Sequence, residues 1–211
     1  MTTEGNDDIL VLGIGNVLWA DEGFGVRAVE LLHARYRFPS HVHLLDGGTQ
    51  GLYLVHHVCA ASRLLVFDAI DFGLAPGTLR VIRDAEVPRF MGAKKMSLHQ
   101  TGFQEVLASA QLLGRLPREL VLIGVQPEEL EDYGGSLRPS VKARLPEAVA
   151  LAVEQLRAWG VAVREREAPL SREEGLNAAA LELHAYEEGR PGPEAACRIG
   201  DARVLGIREV G

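Results

Sequence analysis

Short apolar runs alternate along the chain with segments in which apolar residues recur every three or four positions. The runs are long enough for buried strands, whereas the spaced segments are typical of helices that bury one face. The predicted strands are residues 9–12, 42–45, 64–67, 79–82 and 120–125. The predicted helices are residues 26–36, 52–58, 102–113 and 141–159. Strands and helices therefore alternate through most of the chain.

Most of the predicted strands are continuously apolar, which is typical of parallel strands that are buried on both faces. The run 79–82 differs because a Pro76-Gly77 turn precedes it and Arg80 and Arg83 flank its apolar residues. We therefore expect this run at an edge of the sheet. The pattern predicts an α/β fold, a three-layer sandwich with a twisted, mostly parallel sheet of about five strands and helices on both faces.

Residues 164–211 differ in character from the rest of the chain. They carry dense mixed charge, Pro169 and few large apolar residues, with helical spacing at 171–188 and some strand-like alternation at 197–210. We predict an α/β domain at residues 1–163 and a charged, partly helical C-terminal extension at 164–211 with the composition of a mobile segment. A chain ending at Val163 is expected to fold without the extension.

Composition and charge exclude several classes of protein. A net charge of −7 argues against a nucleic-acid surface, which needs a basic stripe. No apolar run reaches the ~18 residues of a membrane span, and residues 1–8 lack the basic front of a signal peptide. The two cysteines, Cys59 and Cys197, match neither a metal-site spacing nor a disulfide framework. We expect a reduced, cytoplasmic protein without nucleic-acid binding or membrane insertion.

A glycine-rich turn joins the first predicted strand to the first predicted helix. Gly13-x-Gly15 resembles the start of a dinucleotide-binding fingerprint, but Leu18 occupies the position of its third glycine. Asp21 and Glu22 stand where a phosphate would otherwise meet the helix N-terminus. Because carboxylates repel phosphate and attract cations, the turn favours a cation site over a nucleotide site.

Acidic residues follow three of the predicted strands. Ligands in open parallel sheets bind beyond the carboxyl ends of the strands, where Glu22, Asp46 and Asp68 are expected. A capping-box signature beginning at Thr101 predicts that His99 lies in the loop just before a helix. Glu22, Asp68 and His99 would form a three-ligand site with open positions. One imidazole and two carboxylates suit a first-row divalent ion such as nickel, zinc or iron.

Each of these residues also has an ordinary structural interpretation. Glu22 fits a first-turn charge that interacts with the helix dipole, Asp68 a turn or capping acid, and His99 a solvated loop residue. The stretch Asp46-Gly47-Gly48-Thr49 fits a tight turn and an N-cap. Spacing alone leaves the metal site and the structural interpretations open.

Four stretches together resemble the hydrogenase maturation endopeptidases, which trim the C-terminal extension from the large subunit of nickel-iron hydrogenases. The stretches are Leu10-Val11-Leu12-Gly13-Ile14-Gly15-Asn16 with Asp21-Glu22-Gly23-x-Gly25, Asp46-Gly47-Gly48-Thr49, Val66-Phe67-Asp68-Ala69 and Ser97-Leu98-His99-Gln100. The resemblance covers residues 8–163, and it departs at Leu98, where many members of the family have proline. The fold that it implies is the three-layer sandwich already predicted.

The resemblance also implies a site and a partner. Glu22, Asp68 and His99 would contact nickel that is already inserted in the precursor, so the substrate supplies the metal and the protein does not hold it permanently. Other divalent ions would also fit such a site. The implied substrate-recognition residues are Gly47, Gly48 and Thr49. The expected partner is the hydrogenase large-subunit precursor.

The common protease motifs are missing from the sequence. There is no Gly-x-Ser-x-Gly elbow, no His-Glu-x-x-His helix and no cysteine with an obvious base. We therefore predict an aspartyl-endopeptidase-like hydrolase, in which a water near the substrate's metal is activated by Asp46 or Asp21 as the base. Two alternatives stay open, a non-catalytic nickel-sensing chaperone of the large subunit and a nucleotide-binding oxidoreductase.

Overall fold

The computed structural model describes the backbone of residues 7–91 and 98–190, and their side chains except those of residues 89–91 and 98–101. Its strands are β1 (Ile9–Ile14), β2 (Tyr36–Arg37), β3 (Val42–Gly48), β4 (Arg63–Ala69), β5 (Leu79–Arg83), β6 (Glu119–Val125) and β7 (Arg164–Glu165). The central sheet has the order β3-β1-β4-β6-β5. All neighbours are parallel except β5, which pairs antiparallel with β6 at the edge. The predicted mostly parallel sheet and its edge strand are confirmed.

Helices cover both faces of this sheet. They are α1 (Phe24–Arg35), α2 (Val55–Ala60), α3 (Glu86–Met91), α4 (Leu98–Leu112), α5 (Pro139–Lys142), α6 (Leu145–Ala158) and α7 (Leu183–Gly189). One core lies under α1 and α6 and includes Phe24 and Phe67, and the other lies under α2 and α4 and includes Val66 and Phe103. The predicted three-layer sandwich is confirmed. Within the described part of the chain, no helix combines the length and apolar character that crossing a membrane requires.

Two predicted helix boundaries are wrong. Helix α4 begins at Leu98, because no residue between Leu98 and Thr101 breaks a helix, so His99 lies in its first turn and not in a preceding loop. The helix predicted at 141–159 is divided into α5 and α6. Pro146 lies in the first turn of α6, where its missing N–H is tolerated and its fixed φ favours a helix start.

Residues 164–190 pack along the outside of α1. Strand β7 pairs antiparallel with β2, which directly follows α1. Leu176 and Leu183 pack against the core under α1 and α6. The division into a domain and an extension stays a prediction, and the strand-like stretch at 197–210 lies outside the described residues.

Candidate active site

The turn between β1 and α1 lies close against the sheet because glycine occupies its tightest positions. Gly15 has a φ of +134°, and a Cβ at this position would lie 1.8 Å from the carbonyl oxygen of Glu22. A Cβ at Gly25 would lie 2.3 Å from the carbonyl oxygen of Phe67 in β4. Larger residues would force these segments apart. The glycines therefore hold the 3-10 turn Ala20–Gly23 against the ends of β1 and β4.

This packing brings two buried carboxylates near each other. Glu22 is 9% exposed, and Asp68, near the end of β4, is 2% exposed. Burial raises the pKa of Asp68 well above its usual range, the Ala69 backbone N–H lowers it, and the charge of Glu22 raises it further. Asp68 Oδ1 accepts a hydrogen bond from Ala69 N at 2.8 Å, whereas Asp68 Oδ2 accepts none from the described residues. Two buried like charges in such a site favour a bound cation.

His99 is the third predicted ligand, and its side chain lies outside the described residues. Its backbone is in the first turn of α4. Three residues further along, a Cβ at Gly102 would lie 3.5 Å from Gly51 Cα in the turn that follows β3. The first turn of α4 therefore lies at the same carboxyl edge of the sheet as Glu22 and Asp68. The contact of His99 with a metal stays a prediction.

The carboxylates of Glu22 and Asp68 fit a divalent metal ion as two ligands of a larger set. Carboxylate oxygens suit hard and borderline ions, and an added imidazole would suit nickel, zinc or iron. Among the residues whose side chains are described, no group of three acidic, histidine or cysteine side chains has a metal-binding arrangement. A complete site therefore requires His99, a ligand from the substrate, or both.

Asp21, the neighbour of Glu22, is fully buried and makes structural hydrogen bonds. Its Oδ2 accepts from the backbone N–H groups of Glu128 and Glu129 at 2.8 and 2.9 Å, and its Oδ1 accepts from Arg138 N at 2.7 Å. These bonds join the β1–α1 turn to the segment after β6. The predicted role of Asp21 as a general base stays a prediction, and this hydrogen-bonding pattern does not favour it.

Replacing Asp21 by asparagine is expected to destabilise the fold by about 1–3 kcal/mol, because at least one buried N–H would lose its acceptor. Urea unfolding would measure the change in free energy, and the cleavage rate per folded molecule would be measured in parallel. A structural role predicts that this rate is largely retained. A large loss of kcat with an unchanged free energy of unfolding would instead identify Asp21 as the base.

Asp46 lies on the opposite face of the sheet from Asp68. Along β3, Val42 and Leu44 pack in the core under α1, and Asp46 follows them with the same alternation. Asp68 follows Val66, which packs in the core under α2 and α4. Both acids lie at the carboxyl edge of the sheet, but the structure does not bring Asp46 into the Glu22–Asp68 pair.

The loop at 46–49 continues from Asp46 beside the β1 turn. Gly48 has a φ of +43°, and its carbonyl oxygen accepts a hydrogen bond from Gly15 N at 3.1 Å. Gly47 is buried, and a Cβ there would lie 2.8 Å from Ile14 Cδ1. Thr49 is exposed. The loop is therefore anchored at its glycines and open to solvent at Thr49, and its role in substrate binding stays a prediction.

A buried polar cluster beside Asp46 was not predicted from the sequence. Arg27 in α1 is 3% exposed, and its Nη1 donates to Glu30 Oε2 at 2.9 Å and to the carbonyl oxygen of Leu181. Asn177 Nδ2 donates to Glu30 Oε1 at 2.7 Å. The sequence carried no signal for this cluster, because helical spacing places Arg27 on the side of the predicted helix opposite Val29 and Leu32. Its partners at 177 and 181 are too distant in sequence to be predicted from it.

A family model for hydrogenase maturation proteases matches residues 26–155 of the chain. Among curated proteins, the hydrogenase expression/formation protein HoxM of Cupriavidus necator is 62% identical over 197 residues, which cover 93% of this chain and 98% of the relative. The hydrogenase 2 maturation protease of Escherichia coli is 44% identical over 161 residues, which cover 76% of this chain and 97% of the relative.

Solved structures of hydrogenase maturation proteases are also similar to this chain. The hydrogenase maturating endopeptidase HybD from Escherichia coli aligns with a TM-score of 0.72 and 42% identity, and the match covers 75% of this chain and 98% of that one. The nickel-iron hydrogenase maturation protease HybD from Thermococcus kodakarensis aligns with a TM-score of 0.56 and 27% identity, over 70% of this chain and 98% of that one. The chain therefore belongs to the hydrogenase maturation protease family and is an endopeptidase.

Proposed function

We propose that this endopeptidase removes the C-terminal extension of a nickel-iron hydrogenase large-subunit precursor after nickel has been inserted. In this proposal the nickel belongs to the substrate, and Glu22, Asp68 and His99 supply ligands to it when the precursor docks. Family membership supports the hydrogenase partner. The proposal adds the dependence on nickel.

The single observation that carries the metal-dependent part is the burial of Glu22 and Asp68 near each other at the carboxyl edge of the sheet. Removing two carboxylates from water is unfavourable unless a cation or hydrogen bonds compensate. Asp68 Oδ2 accepts no hydrogen bond from the described residues. A metal ion that arrives with the substrate would supply a positively charged partner for this oxygen.

Such a site would distinguish loaded from empty precursors. A precursor with nickel gains coordination bonds to the protease, whereas an empty precursor forms no such bonds. A difference of only ~1.4 kcal/mol in binding free energy already gives tenfold selection. Cleavage would then follow metal insertion without a separate sensor protein.

Peptide hydrolysis also needs a group that accepts a proton from the attacking water. Burial raises the pKa of Asp46, while the Asn177 amide, the Gly48 N–H and the Arg27 charge lower it in part. A raised pKa brings a carboxylate closer to neutral pH, where a general base is most effective. We therefore propose Asp46 as the base. It would take the proton of the water as the new C–O bond forms, and return a proton to the amine as the C–N bond breaks.

We also propose that the reaction takes place in the cytoplasm. The two cysteines, Cys59 and Cys197, match no disulfide framework in the sequence, which fits a reducing compartment. The nucleotide-binding alternative gains no support, because Leu18 interrupts the fingerprint and the buried acids Asp21 and Glu22 occupy the position where a phosphate would lie.

Incubation with purified precursor tests the proposed function. The nickel-loaded precursor is expected to lose mass from its C-terminus, and the same precursor without nickel is expected to keep its full mass. Intact-mass spectrometry of both proteins measures this directly. Equal cleavage of loaded and empty precursors would overturn the nickel dependence, and binding without any loss of mass would support the chaperone alternative.

A further inference from the structure

Exposed apolar side chains are concentrated at the carboxyl edge of the sheet. The strands β1, β3, β4 and β6 run in the same direction, so the segments that follow them meet at this edge. In the described part of these segments, the large apolar residues that are exposed are Leu18, Leu52, Tyr53, Leu74 and Tyr133. Single exposed apolar residues are ordinary, whereas several around one site indicate an interface.

Leu52 and Tyr53 lie beside the first turn of α4. They belong to the 3-10 turn Gly51–Leu54, which follows β3. Leu54 is buried in the core under α2 and α4, whereas Leu52 is 57% exposed and Tyr53 is 81% exposed. Gly51, at the start of the turn, lies close to the first turn of α4. The exposed pair is therefore next to the helical turn that carries the predicted histidine ligand.

A second apolar group lies beside Glu22, whose backbone N–H donates to the carbonyl oxygen of Trp19 at 2.9 Å. The rings of Trp19 and Tyr133 are in edge-to-face contact, with centroids 5.2 Å apart. The two residues form a backbone bridge, and Gly134 N donates to the carbonyl oxygen of Leu18 at 2.7 Å. Because these contacts fix the rings before a partner binds, docking onto them costs little conformational entropy.

We propose that the two groups form one docking surface for the hydrogenase large-subunit precursor, which places apolar side chains on both sides of the metal site. We call this surface the apolar rim. It consists of Leu18, Trp19, Leu52, Tyr53 and Tyr133. The inference rests on the proposed function, because it assumes that the precursor brings its metal to Glu22 and Asp68.

The charges beside the apolar rim favour a different protein over a second copy of this chain. Tyr133 directly follows a segment without basic residues, which contains Glu128, Glu129, Glu131 and Asp132. Two copies that met through the rim would use the same patch on both sides and would bring these like charges together, which is unfavourable. A second copy would also cover the carboxyl edge, where a protein substrate must reach the metal ligands. The rim therefore fits a partner whose apolar patch is bordered by basic groups.

The apolar rim and the metal site would contribute differently to the reaction. The rim contacts involve no metal, so they form when the precursor binds and persist in the transition state. Interactions that are equally strong in both states lower KM without raising kcat. We therefore expect the rim to determine KM, whereas the metal site distinguishes loaded from empty precursors.

The test replaces Tyr53 by alanine in the full-length protein and measures cleavage of the nickel-loaded precursor. Tyr53→Ala is expected to raise KM about tenfold with kcat almost unchanged, because aromatic side chains at the centre of an interface carry much of its binding energy. Adding Leu52→Ala should raise KM further. Both side chains are exposed, so the free energy of unfolding should stay the same. A fall in kcat with an unchanged KM would overturn the docking role.

Leu112→Ala is the matched control. Leu112 is 90% exposed at the last residue of α4, about 20 Å along this helix from its first turn, and lies at the opposite edge of the sheet. Its replacement should leave KM unchanged. Equal increases in KM for Tyr53→Ala and Leu112→Ala would show an effect of exposed apolar surface in general, and this result would contradict the proposal.

Hydrogen–deuterium exchange separates this inference from the proposed function, because it needs no cleavage. In the full-length protein, the nickel-loaded precursor is expected to protect peptides that contain residues 18–19 and 51–54, and to leave those that contain 112–113 unchanged. If the precursor protects the rim but is not cleaved, the proposed function is wrong and the docking surface is right. If the precursor is cleaved while the rim peptides exchange as before, the docking surface is wrong.

Sedimentation of the protease alone tests a second copy as the occupant of the apolar rim. The oligomeric state is expected to be the same for the wild type and Tyr53→Ala. A wild-type dimer that Tyr53→Ala converts to a monomer would assign the rim to self-association and overturn the proposal.

Discussion

Replacing Asp68 by asparagine is expected to abolish cleavage of the precursor and to raise the free energy of unfolding at neutral pH. The variant loses a charged metal ligand. Mutating a residue that only hydrogen-bonds to a ligand already costs about 10–100-fold in metal affinity or activity, so we expect the loss of a ligand itself to lower the cleavage rate at least about 100-fold. Asparagine keeps an oxygen that can accept the Ala69 N–H bond. The same loss of cleavage, with the fold retained, is expected for Glu22→Ala and His99→Ala.

The gain in stability follows from the sign of the pKa shift. Burial raises the pKa of Asp68 in the folded protein above its value in the unfolded chain. The folded state therefore binds the proton more tightly, and the stability that this provides is complete below the unfolded pKa and is lost as the pH rises through the folded pKa. Asparagine does not titrate. The free energy of unfolding of the asparagine variant should therefore exceed that of the wild type by an amount that grows with pH and reaches about 1 kcal/mol at pH 8.

Chemical denaturation at pH 5 and pH 8 measures this effect, and the exposed Glu165 provides a control. Glu165→Gln should change neither cleavage nor the pH dependence of unfolding. Cleavage at the wild-type rate by Asp68→Asn would remove Asp68 from the metal site. A variant that is less stable than the wild type at pH 8 would show that the buried charge is compensated by another group.

The fold could be predicted from the sequence because it depends on patterns that are local in sequence. Continuous apolar runs fix buried parallel strands, and the arginines around residues 79–82 fix an edge position for β5. The carboxyl edge of the sheet then places Glu22 and Asp68 in one region. Their proximity follows from topology, since Glu22 lies in the turn between β1 and α1, and Asp68 lies near the end of β4, the strand beside β1.

Other features of the site depend on contacts that no local pattern contains. The three backbone partners of Asp21 lie more than a hundred residues away, at 128, 129 and 138. Asp46 and Asp68 lie on opposite faces of the sheet, and the face of each side chain depends on the register in which its strand pairs with its neighbours. The packing of residues 164–190 was obscured by composition, because a few leucines among many charges resemble a mobile segment although Leu176 and Leu183 are partly buried.

Ending the chain at Val163 is expected to lower the free energy of unfolding by about 3–5 kcal/mol while leaving a cooperatively folded protein. Among the described residues, the fully buried members of both cores lie at or before Val161, so the sandwich is expected to form without the partly buried Leu176 and Leu183. The truncation removes the carbonyl oxygen of Leu181 and the ring of Tyr186, which lies 5.6 Å from the Arg27 guanidinium. Arg27 would then lose these two partners while its charge stays partly buried beside Glu30. Removing a partner from a buried ion pair costs several kcal/mol.

A chain ending at Arg190 is the matched control, because it keeps every described contact between residues 164–190 and α1. It should unfold at the same denaturant concentration as the full-length protein, whereas the chain ending at Val163 should unfold earlier in a single transition. If the shorter chain unfolds without cooperativity, residues 164–190 belong to the core of the domain, and the boundary at 163 is wrong. If it is as stable as the full-length protein, the buried Arg27–Glu30 pair does not depend on the segment that covers it.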